Sequence, residues 1–198
     1  MSTEPIIRPA SPSDGRALAK LIDIAGEGIP SWLWTSMARP GQSALDVGEE
    51  RAKRESGGFS YRHAQVAETS PDVAGMMLGY VIDEPSADDR AAVRDLPEPI
   101  RPFIELEHQA IGTFYVNALA VFPGRRGAGI GTMLLHAAEE QAEGQCASTM
   151  SIMVYAQNTG AVGLYRRLGY RAVAARPVLL HPCQPYYDGD VLLLTKEL

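Results

Sequence analysis

Lysine is scarce in this chain. Lys20, Lys53 and Lys196 are the only three, and none stands near the glycine-rich stretch, which excludes the lysine that a nucleoside-triphosphate loop needs for its phosphates. Cysteine is scarcer still. Cys146 and Cys183 are too few for a disulfide framework and lack the close Cys or His spacing of a structural zinc site, so both read as free thiols and no metal is expected. No apolar run approaches the roughly 18 residues that span a bilayer, and Met1-Ser-Thr-Glu-Pro5 has neither the basic region nor the apolar core of a signal peptide. The expectation is a cytoplasmic protein that meets no membrane. Positive charge is also short: 18 basic against 24 acidic residues give −6, which disfavours a nucleic-acid partner and suits a cationic or zwitterionic substrate. Repeats and low-complexity tracts are absent. What remains, 198 residues of which 45% are hydrophobic and 21% charged, reads as one domain spanning 1–198 with a substantial core.

The chain alternates strands and helices. Ile6–Pro9 reads as a first strand, and Ser11-Pro-Ser-Asp14 offers helix-capping chemistry ahead of Leu18, Leu21, Ile22 and Ala25 at helical spacing, with Gly26 and Gly28 as the stop. Residues 29–55 carry Trp32, Trp34, a Pro40-Gly41 turn and a helix-like tail rich in Arg and Glu. Tyr61–Glu68 and Val73–Asp83 read as a hairpin closed by Thr69-Ser-Pro-Asp72. From Asp83 to Glu107 eight acids face three arginines, so −5 of the net −6 is concentrated there, and about 84–110 reads as an acidic insertion. Thr113–Val121 is a strongly apolar strand. A helix follows with Ile130, Met133, Leu134, Ala137, Ala138 and Ala142 on its inner face, then a strand over Ser148–Tyr155. Asn158–Leu168 reads as a helix closed by Gly169, with strands over Tyr170–Ala174 and Val191–Thr195 after it.

The stretch Val121-Phe-Pro-Gly-Arg-Arg-Gly-Ala-Gly-Ile-Gly-Thr132 joins a strand to a helix through a glycine turn. Gly127, Gly129 and Gly131 let consecutive backbone N–H groups converge, and the helix start aims its unpaired amides at the same point. That is anion-binding geometry. Gly124–Gly129 matches half of a nucleoside-triphosphate loop, but Ile130 and Gly131 stand where Lys and Ser or Thr are required. A dinucleotide site would need G-x-G-x-x-G and an acid after the next strand; this chain has G-x-G-x-G and then Tyr155-Ala-Gln157. A tight connection without a ligand is the bland alternative.

Arg126-x-x-Gly129-x-Gly131, followed by Asn158-x-x-Ala161-x-x-x-Tyr165-x-x-x-Gly169-Tyr170, resembles the two coenzyme motifs of the GNAT superfamily of N-acetyltransferases, most strongly over Thr113–Val173. The resemblance implies a mixed α/β fold with a splayed, mostly antiparallel sheet flanked by helices, and acetyl-CoA as co-substrate. It implies that the amides of Arg126, Gly127, Ala128, Gly129, Gly131 and Thr132 hold the pyrophosphate. Leu119, Ala120 and Val121 would pair with the pantetheine arm, one of their amides polarising the thioester carbonyl. Asn158, together with Ala161, would meet the same arm, although an ordinary N-cap explains Asn158 equally well and the roles are compatible. Tyr165 would protonate the departing thiolate, its bland alternative being a core tyrosine.

An alkyl ammonium of pKa about 10.4 must lose a proton before it can attack. Members of the family often place Glu or His on the strand before the turn, where this chain has Tyr115 and Asn117. Neither is an ordinary base. A water chain held by Asn117, an acid or imidazole from Glu105, Glu107 or His108 (otherwise solvated loop residues), or an acceptor of low pKa would each meet the need. Trp32, Trp34 and the acidic stretch are candidate walls for the acceptor, against core packing and a solubilising loop respectively. The acceptor expected is a small-molecule or peptide amine, and a homodimer is left open. His136 and the His181-Pro-Cys183 run suggest no metal. A non-catalytic acyl-CoA-binding module and a nucleotide-binding domain are the rival readings.

Overall fold

The computed structural model describes residues 4–87, 93, 96–180 and 188–198. Cys183, His181, the first three residues and part of the acidic stretch lie outside them. Strands β1 (Ile6–Pro9), β2 (Ala64–Thr69), β3 (Asp72–Val81), β4 (Phe114–Val121), β5 (Thr149–Tyr155), β6 (Arg171–Pro177) and β7 (Asp190–Glu197) form one sheet in the order β1-β2-β3-β4-β5-β7-β6. The β1·β2, β2·β3, β5·β7 and β6·β7 ladders are antiparallel, and β4·β5 is parallel. The chain packs as two compact units. The first holds residues up to Tyr80 and Asn117–Glu140, the second Val81–Val116 and Gln141–Leu198. β4 contributes residues to both.

In the first unit, helices α1 (Gly15–Ala25), α2 (Ile29–Met37) and α3 (Ala44–Ala52) pack on one another. α1 forms because Leu18, Leu21 and Ile22 recur at helical spacing, and all three are buried. The capping expectation is corrected in detail: Pro12–Asp14 is a separate 3-10 turn, and the Asp14 carboxylate accepts from Ser11 and from both Arg8 terminal nitrogens at 2.9 Å. The Arg8 guanidinium holds that carboxyl below its usual range, and Arg8 also reaches Glu68 on β2, tying β1 to its neighbours. α3 starts with a reciprocal box, Ser43 accepting from the Asp46 amide while Asp46 accepts from the Ser43 amide. Leu18, Leu21, Ile22, Trp34, Val47, Val66, Met76, Leu78, Ala118 and Ala120 share one core cluster.

Trp34 belongs to that core, not to an acceptor wall. It is 2% exposed, and a Cβ on Gly48 would lie 2.4 Å from its ring, so the two helices approach through a glycine that the indole covers. Trp32, on the same helix, is half-buried.

In the second unit the acidic stretch is not a plain loop. Glu98–Ile100 is a 3-10 turn, α4 spans Arg101–Glu107, and a further 3-10 turn covers His108–Ala110. Acids dominate its composition, yet Pro102, Leu106 and Ala110 recur every four residues and are buried, and α4 packs on β6 and β7. Phe103 meets Tyr155 edge to face at 5.7 Å.

Helix α5 (Ile130–Gly144) follows the glycine turn, and α6 (Thr159–Arg167) lies against β5. The inner face expected for α5 gains Leu135, which is buried, whereas Met133 and Ala137 are only half-buried. Among the described residues no helix is long and apolar enough to cross a membrane, and no group of three His, Cys, Asp or Glu could hold a metal ion. Removing the indole should show how far the first core depends on it: Trp34→Ala should lower stability by about 3–5 kcal/mol in urea unfolding.

Candidate active site

The apolar register of β4 sets up the first group of site residues. Ala118 and Ala120 are buried in the core cluster while Asn117, Leu119 and Val121 are half-exposed. The parallel ladder with β5 pairs Phe114, Tyr115 and Val116 with Met150, Ser151 and Ile152 and ends there, although both strands continue. Leu119, Ala120 and Val121 therefore lie beyond its last pair. On the β3 side the chain stays anchored, the Phe122 amide donating to the Ala74 carbonyl at 2.9 Å. Gly75 makes this anchoring close. A Cβ there would sit 2.9 Å from the Ala120 carbonyl oxygen and 3.2 Å from Ile130, so β3 passes both β4 and the start of α5 at glycine distance. Gly75 is a site-supporting residue that sequence reasoning missed; its only signal was a glycine inside a strand pattern.

Pro123–Arg125 then forms a 3-10 turn, and Gly127 (φ 81°) and Gly129 (φ 77°) take the left-handed region that favours glycine. The turn is exposed, and a Cβ at Gly124, Gly127 or Gly129 would meet nothing within 4 Å. The Thr132 and Met133 amides both donate to the Gly129 carbonyl, at 3.0 and 3.1 Å. Helix geometry leaves the amides just ahead of them without an intrahelical acceptor, so the open face of the turn is made by Gly127, Ala128, Gly129 and Gly131. Arg126 is turned differently from a free phosphate ligand: its Nε donates to the Val121 carbonyl at 3.1 Å, closing the turn on the strand that precedes it.

Asn117 lies at the other end of this β4 stretch. Its Nδ2 donates to the Tyr80 hydroxyl at 2.8 Å, and Tyr80 packs on His63 with ring centroids 5.2 Å apart. Burial pushes the His63 imidazole below its ordinary value. The sequence reading singled out neither Tyr80 nor His63, because residues so far apart in the chain show no common spacing.

The second unit holds the remaining site residues. Asn158 caps α6, its Oδ1 accepting from the Ala161 amide at 3.2 Å. The capping role is thus occupied through the carbonyl oxygen, and Ala161 is the residue whose amide it takes. Gly169 (φ 93°) closes the helix as expected, and the Tyr170 amide donates to the Tyr165 carbonyl at 3.0 Å. Tyr165 is 5% exposed and lies against Tyr170 at 5.9 Å between centroids. Burial raises its phenol well above the usual value near 10. It is an acid held in its protonated form.

The base candidates of this unit separate. Glu105 is engaged with the Arg176 Nε at 2.6 Å, and His108 is exposed. Glu107 is half-buried, and burial raises its carboxyl against the opposing effect of His108. All three sit on helical turns, not in the solvated loop expected. Tyr115 is buried, 4% exposed.

A model of the acetyltransferase (GNAT) family matches residues 27–170, well over half of the chain, and the protein belongs to that family. Its fold is shared by a crystal structure described as an acetyltransferase (20% identity, 97% of this chain and 98% of that one, TM-score 0.66). An N-acetyltransferase from Staphylococcus aureus Mu50 has the same fold (22%, 96% and 100%, 0.65). So does a ribosomal-protein-alanine N-acetyltransferase from Brucella melitensis (18%, 98% and 99%, 0.63). No curated protein matches the chain.

Two outcomes follow from the geometry. Asn158→Ala should cost about 1 kcal/mol of stability in chemical unfolding, the worth of a side-chain N-cap. In a spectrophotometric titration, the phenol missing from Tyr165→Phe should ionise only above pH 10. Because its folded pKa is raised, the stability that protonated Tyr165 confers is complete below pH 10 and is lost as pH climbs past that value.

Proposed function

We propose that the chain transfers the acetyl group of acetyl-CoA to a primary amine by direct attack, the amine belonging to a small molecule or a peptide. Membership of the family supports acetyl transfer in general. The observation that carries the finer reading is the glycine turn, whose exposed left-handed glycines offer room for a ligand against backbone amides. Its chemistry fits a pyrophosphate: several N–H donors at a helix start form charge-assisted bonds to an anion without needing a lysine. Arg126, Gly127, Ala128, Gly129, Gly131 and Thr132 would hold it, with Arg126 first leaving the Val121 carbonyl for its side chain to contribute.

Leu119, Ala120 and Val121 would pair with the pantetheine arm, since β4 continues past its last pair with β5, and one of their amides would polarise the thioester carbonyl. Asn158 and Ala161 would border the same arm. Tyr165 would donate its proton to the thiolate as the C–S bond breaks. Burial keeps the proton on the phenol at neutral pH, and the same desolvation would raise the basicity of a thiolate leaving beside it, offsetting the weaker acidity of the buried phenol. Asn117 would orient the acceptor or its water through the bond it shares with Tyr80.

The rival readings make different demands on the protein. A nucleotide-binding domain would be stabilised by ATP or NAD and not by acetyl-CoA, whereas acetyl-CoA should raise the melting temperature here and the nucleotides should not. A non-catalytic module would bind acetyl-CoA yet release no CoA across a library of primary amines. Tyr165→Phe should lower kcat by about a hundredfold with acetyl-CoA affinity unchanged, and an unaltered kcat would remove it as the acid. Gly129→Val should weaken acetyl-CoA binding by about tenfold or more, because a β-branched residue strains the left-handed backbone there.

A further inference from the structure

Three side chains of the first unit meet at the open end of the β2–β3 hairpin. His63 ends the 3-10 turn Tyr61–His63, which is pinned by Ser60, a fully buried residue whose Oγ accepts the Arg62 amide and donates to the Arg54 carbonyl. Ala64 pairs with Leu78, so the turn delivers the imidazole beside the last residues of β3. There it packs on Tyr80 at 5.2 Å with the rings tilted by 57°. The Tyr80 oxygen takes the Asn117 Nδ2 hydrogen at 2.8 Å, and a Cβ on Gly58 would lie 3.0 Å from that same oxygen. His63 is thereby linked through one phenol to the β4 residue next to the backbone proposed for the thioester.

We propose that His63 accepts the proton of the acceptor ammonium, with Tyr80 and Asn117 as positioning residues that hold the imidazole toward the start of Asn117–Val121. The proposal rests on the acetyl-transfer reading above. The acceptor R–NH3+ gives one proton to the His63 imidazole, and the freed lone pair forms the C–N bond at the thioester carbonyl. The C–S bond breaks with its electron pair leaving on sulfur, which takes the Tyr165 proton. The second nitrogen proton leaves the amide product and restores Tyr165 through solvent, and His63 returns its own proton to bulk water.

The surroundings suit the task. Burial alone lowers the imidazole, with no charged group contributing, so His63 is predominantly neutral at pH 7. Among the described residues, the titratable neighbours on its own turn, Tyr61 and Arg62, both bond to Glu55, and the Tyr80 phenol faces it from β3. The other described imidazoles, His108 and His136, are exposed.

Release of CoA from acetyl-CoA by the full chain is followed against pH with benzylamine, spermidine and an alanine-initiated tetrapeptide as acceptors. The fastest of these is then compared with trifluoroethylamine, whose nitrogen is already mostly unprotonated at pH 7. For the ordinary amine, kcat/KM should fall on the acid side with a midpoint below 6.5. His63→Gln should lower kcat/KM at pH 7 by about a hundredfold or more and abolish that limb. With trifluoroethylamine the same variant should lose less than about a tenth of that factor, because no proton need be taken before attack. Tyr80→Phe should move the midpoint while the KM for acetyl-CoA stays constant, which a merely structural role would not produce. Equal losses for both kinds of amine, or an unchanged pH profile in His63→Gln, overturn the assignment of His63 alone. Absence of CoA release by the unsubstituted chain with all four amines overturns the acetyl-transfer reading instead. If His63→Gln does not fold, nuclear magnetic resonance titration of the His63 Cε1–H in the unsubstituted chain decides, and a midpoint at or above 6.5 counts against the proposal.

Discussion

The continuation of β4 past its short ladder with β5 is the constraint on which the rest of the structure depends. Three residue pairs, Phe114–Val116 with Met150–Ile152, hold the two strands in parallel, and β4 then runs on through five more residues. Backbone N–H and C=O groups of an extended strand need partners. The chain supplies some of them itself: Phe122 donates to Ala74 on one side, and the Arg126 side chain takes the Val121 carbonyl. Gly75 lets β3 approach so closely that the Ala120 carbonyl and Ile130 share its missing side-chain volume. The glycine turn that opens into helix α5 follows directly on this stretch, anchored to β3 through Phe122 and closed on Val121 by Arg126.

Burial acts in opposite directions on the two side chains that acid–base chemistry would use. Tyr165 is nearly inaccessible, so its charged form is penalised and it stays a proton donor. His63 is half-buried, so its charged form is penalised too, and for an imidazole that means a free acceptor. A single physical effect, desolvation, thus prepares one acid and one base without any neighbouring charge. The charged pairs of the molecule serve a different purpose. Arg8 with Asp14 and Glu68 joins the first strand to its neighbours, and Arg176 with Glu105 joins α4 to β6.

Much of the fold was legible because its signals are local. The capped helix at Asn158, the closing Gly169, the hairpin around residues 69–72 and the glycine turn each follow from a few adjacent residues and the conformations they permit. What was misread or left open shares a cause. Residues 98–110 carry so many acids that composition masked the buried Pro102, Leu106 and Ala110 stripe, which decides the helix. Core packing and an acceptor wall were both open for Trp34, and Gly48, fourteen residues on, is the surface that settles it for the core. Glu105 was one of several base candidates against a solvated-loop reading, and the partner that engages it, Arg176, is 71 residues away.

By itself the sequence determined most of the strands and helices outside residues 98–110, the resemblance to the family, and the anion-binding character of the turn at 124–131, since φ-positive glycines and a helix start are properties of neighbouring residues. Only the tertiary structure decided which side chains stand together. His63, Tyr80 and Asn117 come from the turn before β2, the end of β3 and the middle of β4, and no spacing along the chain relates them. Strand pairing does, because register across a sheet converts separations of tens of residues into hydrogen-bond distances. The same register set the exposure of each group, and with it which of them keeps its proton.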